Sequence, residues 1–148
     1  MNDKTSQLLK TFPVKGVKNR MKRRTAREKA LQAIFQIDVS EVDPASAIEH
    51  VLEDAPSNEF LNELVNGVVE NKETIDEMIR KNLENWTLER LATVDRNLLR
   101  LSVYELLFCR DTPQNVVIDE GIEIAKLYGD DQSSKFINGV LSKIKQQL

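Results

Sequence analysis

The 148-residue sequence has few of the residues that build sheets, tight turns or covalent cross-links. It contains one cysteine, five glycines and four prolines, and aromatic residues make up 5% of the chain. The lone Cys109 cannot form an intrachain disulfide, which fits a reducing, cytoplasmic environment. Scarce glycine, proline and aromatic residues favour helices over a β-sandwich or barrel. No apolar run approaches the roughly 20 residues that a membrane span requires, so we expect no membrane segment.

Groups that could perform catalysis or hold a metal ion are also missing. The single histidine, His50, lies on a short polar helix, and Cys109 lies among apolar residues, which predicts a packed, inert thiol. The acidic pair before the last helix lacks the alternating ligands of a calcium loop, and the five isolated glycines form no phosphate-binding loop. Glu120 and Glu123 have the spacing of surface residues on a helix. The sequence therefore predicts a protein that is not an enzyme and uses no cofactor.

Positive charge is concentrated at the N-terminus. Residues 1–29 carry ten Lys and Arg against two acidic residues, a balance of +8, whereas residues 30–148 carry eleven against twenty-two, a balance of -11. Such an asymmetry is typical of a polyanion-binding arm on an acidic body, although a solubilising tail has the same composition. The dense basic run directly after Met21 also fits a start of translation at Met21, with the first twenty residues as an extension.

The apolar residues recur with helical spacing, and no segment alternates with period two. This pattern predicts an all-α fold with about seven helices in two packed helical subdomains. We expect a disordered basic extension over residues 1–21 and subdomains over 22–86 and 87–148. The stretch 94–108 is apolar on much more than one face, which predicts a central helix packed on several sides.

Helix starts can be read from short polar motifs. Thr25 and Glu28 have the spacing of a capping box, which predicts a first helix over 26–40. Asp43 followed by Pro44 predicts an N-cap and first residue for the second helix. The basic residues just before and within the first turn of the first helix oppose its dipole, so an anion bound there would offset that cost. Guanidinium groups suit phosphate, and the residues alone therefore indicate a polyanion, most simply a nucleic acid.

Four blocks resemble, in order and spacing, the bacterial NusB family of transcription antitermination factors. They cover most of residues 22–145 and read RRTAREKALQAIFQ (23–36), VDRNLLRLSVYEL (94–106), VIDEGIEIAK (117–126) and YGDDQSSKFINGVL (128–141). The resemblance implies a NusB-like fold of two helical subdomains. It also implies binding of the boxA element of ribosomal RNA leader transcripts together with NusE, a small-subunit ribosomal protein. The pair would modify elongation by RNA polymerase within an antitermination complex.

The resemblance assigns candidate residues to two surfaces. Matching the family's RNA-binding segments are Lys22, Arg23, Arg24, Arg27, Lys135 and Phe136. Matching the NusE-facing surface are Phe35 and Asp95, where an acidic residue would suit a basic ribosomal protein. Phe136 and Phe35 also fit core positions, and Asp95 also fits the N-terminal charge preference of a helix. The loop at 113–115 lacks the aromatic and basic residues that some family members carry there.

Two other functions remain open at this stage. One is a homodimeric helical interaction protein, whose apolar helix faces would pair with each other. The other is a NusB-like RNA-binding domain related to RNA cytosine methyltransferases, although the glycine motif of their catalytic region is not found in this chain.

Overall fold

The computed structural model describes residues 21–148, which contain seven α-helices, one 3₁₀-helix and no strand. The α-helices are α1 (Arg23–Ser40), α2 (Pro44–Leu52), α3 (Glu59–Glu70), α4 (Lys72–Lys81), α5 (Thr93–Phe108), α6 (Gln114–Tyr128) and α7 (Ser133–Gln146). The 3₁₀-helix covers Leu88–Arg90, between α4 and α5. The predicted all-α class is confirmed. The predicted extension falls almost wholly on residues 1–20, outside the described residues, whereas Met21 packs against the core.

Helix α5 lies at the centre of the molecule. It packs against α1, α3, α4, α6 and α7, and every residue from 97 to 106 is buried. A helix in contact with neighbours on all sides must be apolar around most of its circumference, as the sequence pattern indicated. The central position predicted for this segment is confirmed. The subdomain division between 86 and 87 stays a prediction, because α5 packs against helices on both sides of it.

The start of α1 differs from the prediction. The helix begins at Arg23, with Lys22 as an N-cap that makes no side-chain hydrogen bond. Thr25 and Glu28 are buried inside the helix, and Glu28 accepts a hydrogen bond from the hydroxyl of Tyr128. The predicted capping box is therefore wrong, because tertiary contacts rather than a local cap stabilise this end.

The second helix starts as predicted. Asp43 accepts a hydrogen bond from the backbone N–H of Ser46 at 3.1 Å, and Pro44 occupies the first turn. Proline is favourable there because its missing N–H would have no partner in the first turn of a helix. The chain reverses between α1 and this cap, and α2 packs against α1.

A buried ion pair joins α1 to α5. The Nε and Nη2 atoms of Arg27 each donate to a carboxylate oxygen of Glu105 at 2.8 Å. Both side chains are almost fully buried. Arg27 Nη1 also donates to Glu120 of α6 at 3.2 Å. One guanidinium group therefore connects three helices.

A second buried network joins α1, α4 and α5. Arg100 donates to both carboxylate oxygens of Asp76, at 2.8 and 3.1 Å. Asp38, near the end of α1, accepts hydrogen bonds from Arg96 at 2.8 Å and Asn97 at 2.9 Å. Burial alone would raise the pKa of Asp38, but the bonds from Asn97 and Arg96 hold that pKa below its ordinary value. The end of α1 is thus fixed against the start of α5.

Two helical glycines should respond oppositely to alanine. A Cβ on Gly67 would lie 2.2 Å from two ring atoms of Tyr104, where α3 meets α5, whereas a Cβ on Gly139 would meet nothing within 4 Å. We expect Gly67→Ala to lower the free energy of unfolding by about 1–3 kcal/mol through overpacking. Gly139→Ala should raise it by about 0.5–1 kcal/mol, because alanine loses less backbone entropy in a helix. Urea unfolding followed by circular dichroism checks both, and a shift of the same sign in the two variants would contradict the packing described.

The Arg27–Glu105 pair should be costly to break. Glu105→Gln removes the buried carboxylate that binds two nitrogens of Arg27 and leaves the guanidinium only the partly buried Glu120, so we expect a loss of about 3 kcal/mol in the free energy of unfolding. The matched control is Glu89→Gln, which removes the same charge from an exposed pair with Arg80 and should change stability little. Similar losses in both variants would show that burial does not set the strength of the Arg27–Glu105 interaction.

Candidate functional site

The start of α1 presents a group of exposed cations. Lys22, Arg23 and Arg24 are all exposed there. The guanidinium carbon of Arg23 lies 4.1 Å from the ring centroid of Phe60, so a cation–π contact holds this side chain along the surface of α3. Arg24 forms an ion pair with Glu120 of α6, but half of its side chain remains exposed. Contacts with α3 and α6 thus hold the two arginines on the helix end.

Arg27, the fourth predicted RNA contact in this region, lies beneath the exposed group. Its guanidinium is directed at Glu105 and Glu120, and the residue is buried. A contact between Arg27 and RNA stays a prediction. In the free protein the Arg27 side chain is buried and pairs with Glu105 and Glu120, whereas Arg23 and Arg24 face solvent.

The spacing of Glu120 and Glu123 predicts two surface residues, and for Glu120 this prediction is incomplete. Glu120 is half-buried and forms ion pairs with both Arg24 and Arg27. Because these partners are more than 90 positions away in sequence, no local pattern indicates the pairing. The Glu120 carboxylate partly neutralises the positive charge at the start of α1. Its ion pairs also orient the guanidinium groups of Arg24 and Arg27 toward α6.

Asp95, the predicted partner-facing acid, lies in the first turn of α5. Its Oδ1 atom is buried, and within residues 21–148 it has no hydrogen-bond partner. Burial raises the pKa of the Asp95 carboxyl; a hydrogen bond with Ser133 opposes this rise, and the charge of Asp130 adds to it. A buried carboxylate oxygen without a donor is unfavourable in the free protein. The position is thus suited to a donor supplied from outside.

A cleft of about 490 Å³ brings Asp95 together with Phe136, from the start of α7. Trp86 also lines it, with 58% of its surface exposed. Phe136 packs against the core and lines the cleft, so its core role is confirmed while its RNA contact stays a prediction. Lys135, the residue before it, is exposed. The cleft was not predicted, because an exposed tryptophan in a loop carries no periodic signal.

Phe35 is half-buried on α1, one turn before Asp38. Asp95 directly precedes Arg96, and the pairing of Arg96 with Asp38 connects the end of α1 to the start of α5. The two predicted partner-facing residues therefore lie on helix ends that meet. Their role in binding a partner stays a prediction.

The side chains considered for catalysis have ordinary surroundings. His50 is exposed and shares a hydrogen bond with Gln36. The thiol of Cys109 donates to Glu63 at 3.3 Å, and burial with this contact raises its pKa to about 12. In the described part of the chain, no three His, Cys, Asp or Glu side chains are grouped to hold a metal ion. None of the helices within 21–148 is long and apolar enough to cross a membrane.

Sequence comparisons give a consistent family. The model of the NusB family matches residues 24–146. A protein of Bacillus licheniformis named transcription antitermination protein NusB is 60% identical over 128 residues, covering 86% of this chain and 99% of the relative. A protein of the same name from Bacillus subtilis is 55% identical, with 86% of this chain and 98% of the relative covered.

Solved structures give the same result. The NusB of T. maritima superposes with a TM-score of 0.81 at 40% identity, covering 86% of this chain and 93% of that structure. A crystal structure of the antitermination factors NusB and NusE in complex with double-stranded RNA contains a chain that matches with a TM-score of 0.78 at 33% identity. The match covers 85% of this chain and 97% of that one.

Removing the negative charge of Asp95 should stabilise the free protein. Because burial raises its folded-state pKa, charged Asp95 costs stability at pH values above that pKa, and the cost disappears as pH falls toward the ordinary value of 3.8. We expect Asp95→Asn to raise the free energy of unfolding by about 1 kcal/mol at neutral pH, with a smaller difference in mild acid. Urea unfolding at several pH values measures this. The control is Asp131→Asn, a change at an exposed acid, which should alter stability little; a destabilised Asp95→Asn would contradict the argument.

Proposed function

This chain belongs to the NusB family of transcription antitermination proteins, and we propose that it binds boxA RNA of ribosomal RNA leader transcripts together with NusE. The observation that carries this proposal is the group of exposed cations at the start of α1, on a body that is otherwise acidic. Ordered guanidinium groups contact phosphates at a low entropic cost, and the first-turn N–H groups of α1 add to the attraction. A related structure that contains NusB, NusE and RNA supports both partners.

The second surface is suited to a basic protein. We propose that Asp95 accepts a hydrogen bond from a cationic side chain of NusE, which would supply the donor that Oδ1 lacks within residues 21–148. Trp86 and Phe136, in the same cleft, can cover the aliphatic part of such a side chain. Phe35 on the adjoining end of α1 would extend this surface. Lys135, exposed beside the cleft, would extend RNA contact along the start of α7.

The family assignment separates this protein from enzymes. The relatives named NusB match this chain over 98–99% of their own length, so the similarity extends over whole antitermination proteins. The similarity therefore does not support an RNA cytosine methyltransferase. We further propose that the protein acts in the cytoplasm within an RNA polymerase antitermination complex, and that residues 22–86 and 87–148 form its two subdomains.

RNA binding is tested with boxA RNA over a range of salt concentrations. Removing two phosphate contacts in Arg23→Ala/Arg24→Ala should weaken binding and reduce the slope of log K against log salt by roughly 1.4. The matched control, Lys72→Ala/Lys81→Ala, removes two exposed positive charges from α4 and should leave the slope nearly unchanged. Equal effects of the two double variants would mean that net charge alone governs binding.

The same titrations with NusE present test the second surface. Asp95→Lys places a cation where a basic partner is proposed to dock, so it should abolish the enhancement of RNA binding by NusE while leaving binding of RNA alone intact. Gel filtration of the free protein separates a homodimer from a monomer. A dimer that persists with RNA and NusE present would favour the homodimeric alternative.

A further inference from the structure

A second cleft, of about 690 Å³, lies between the start of α1 and the chain that leaves α5. Its lining includes the cations Arg23 and Arg110, the aromatic rings of Phe60 and Phe108, the carboxylate of Glu63 and the thiol of Cys109. Arg23 belongs to the exposed cations proposed to bind RNA, so the cleft is continuous with that surface. Its volume is sufficient for a nucleotide, and the family resemblance did not point to its aromatic and acidic residues.

The aromatic part of the cleft is preformed. The ring of Phe108 stacks on Tyr104, with centroids 5.3 Å apart and an interplanar angle of 27°. Phe108 exposes 44% of its surface, so its ring is accessible to a ligand in the cleft. Tyr104 fixes the ring from one side, which removes the entropic cost of ordering it on binding. A planar group could stack there without rearrangement of the protein.

The acidic part of the cleft is also ordered. Glu63 Oε2 accepts hydrogen bonds from the Cys109 thiol at 3.3 Å and the Tyr104 hydroxyl at 3.4 Å. Both donors bond to the same oxygen, so Oε1 remains for a ligand. A carboxylate beside arginines at an RNA-binding surface weakens the attraction for phosphate. Its presence there is explained if it accepts hydrogen bonds from a base.

We propose that this cleft binds one unpaired guanine of the RNA, and this inference rests on the proposed function. The base stacks on Phe108, and Arg23 and Arg110 contact the flanking phosphates. Glu63 Oε1 accepts from the N1–H and 2-amino groups of guanine, the base whose Watson–Crick edge has two adjacent N–H donors. Adenine and cytosine offer one amino group there and uracil one imino group, so a carboxylate accepts fewer bonds from them.

The first test compares boxA RNA with versions in which each guanine in turn is replaced by inosine, which lacks only the 2-amino group. Binding is measured with NusE present. At one position the wild-type protein should bind inosine roughly tenfold more weakly, and Glu63→Gln should abolish this difference. Because Glu63→Gln removes a negative charge, nonspecific electrostatics predicts tighter RNA binding; weaker binding of the guanine RNA would come from the lost hydrogen bonds. The control Glu59→Gln changes an exposed acid one turn earlier on α3 and should preserve the guanine preference.

The second test addresses stacking. Phe108→Leu keeps an apolar side chain but should weaken RNA binding about tenfold, whereas Phe108→Trp should preserve it, since stacking of one base contributes roughly this much.

The possible results distinguish failure of the guanine site from failure of the proposed function on which it rests. Wild-type binding of boxA RNA with no effect of inosine, Glu63→Gln or Phe108→Leu would overturn the guanine site and leave the proposed function standing. Failure of the wild type to bind boxA RNA with NusE would overturn both.

Discussion

The buried ion pair between Arg27 and Glu105 holds the first turns of α1 against α5, and the exposed basic surface lies on that end of α1. Cations in the first turn oppose the helix dipole, and no side chain caps this end of α1. The carboxylates of Glu105 and Glu120 supply the compensating charge from two other helices. Arg23 and Arg24 are consequently held on an ordered helix end. Any phosphate contact that they make relies on a buried arginine that RNA need not touch.

Helix α5 connects the two proposed surfaces. Glu105, near its end, supports the basic start of α1, and Asp95, in its first turn, lines the cleft proposed for a basic protein. Ten residues separate them, or roughly 15 Å along a helix. This distance lets an RNA and a protein bind to one rigid element without competing for the same atoms.

Two carboxylates line the clefts proposed to bind ligands. Asp95 has a buried oxygen without a donor among the described residues, and Glu63 lies beside Arg23 at a surface proposed for a polyanion. The unpaired oxygen of Asp95 is unfavourable in the free protein, whereas Glu63 accepts hydrogen bonds from Cys109 and Tyr104 through one oxygen. In each carboxylate one oxygen is left for an N–H donor of a ligand. Partner recognition is thus a common physical explanation for both.

The sequence by itself determined the helical class, the central place of residues 94–108 and the charge asymmetry, because apolar spacing and composition are local properties of the chain. The start of the second helix followed for the same reason, since Asp43 caps it within three residues. The tertiary structure alone decided the start of α1, where contacts with Glu105 and Glu120 replaced the predicted box of Thr25 and Glu28. It also decided which predicted residues face solvent, which lie beneath them, and which acids meet in clefts. These outcomes depend on side chains far apart in sequence, whose pairing no local pattern encodes.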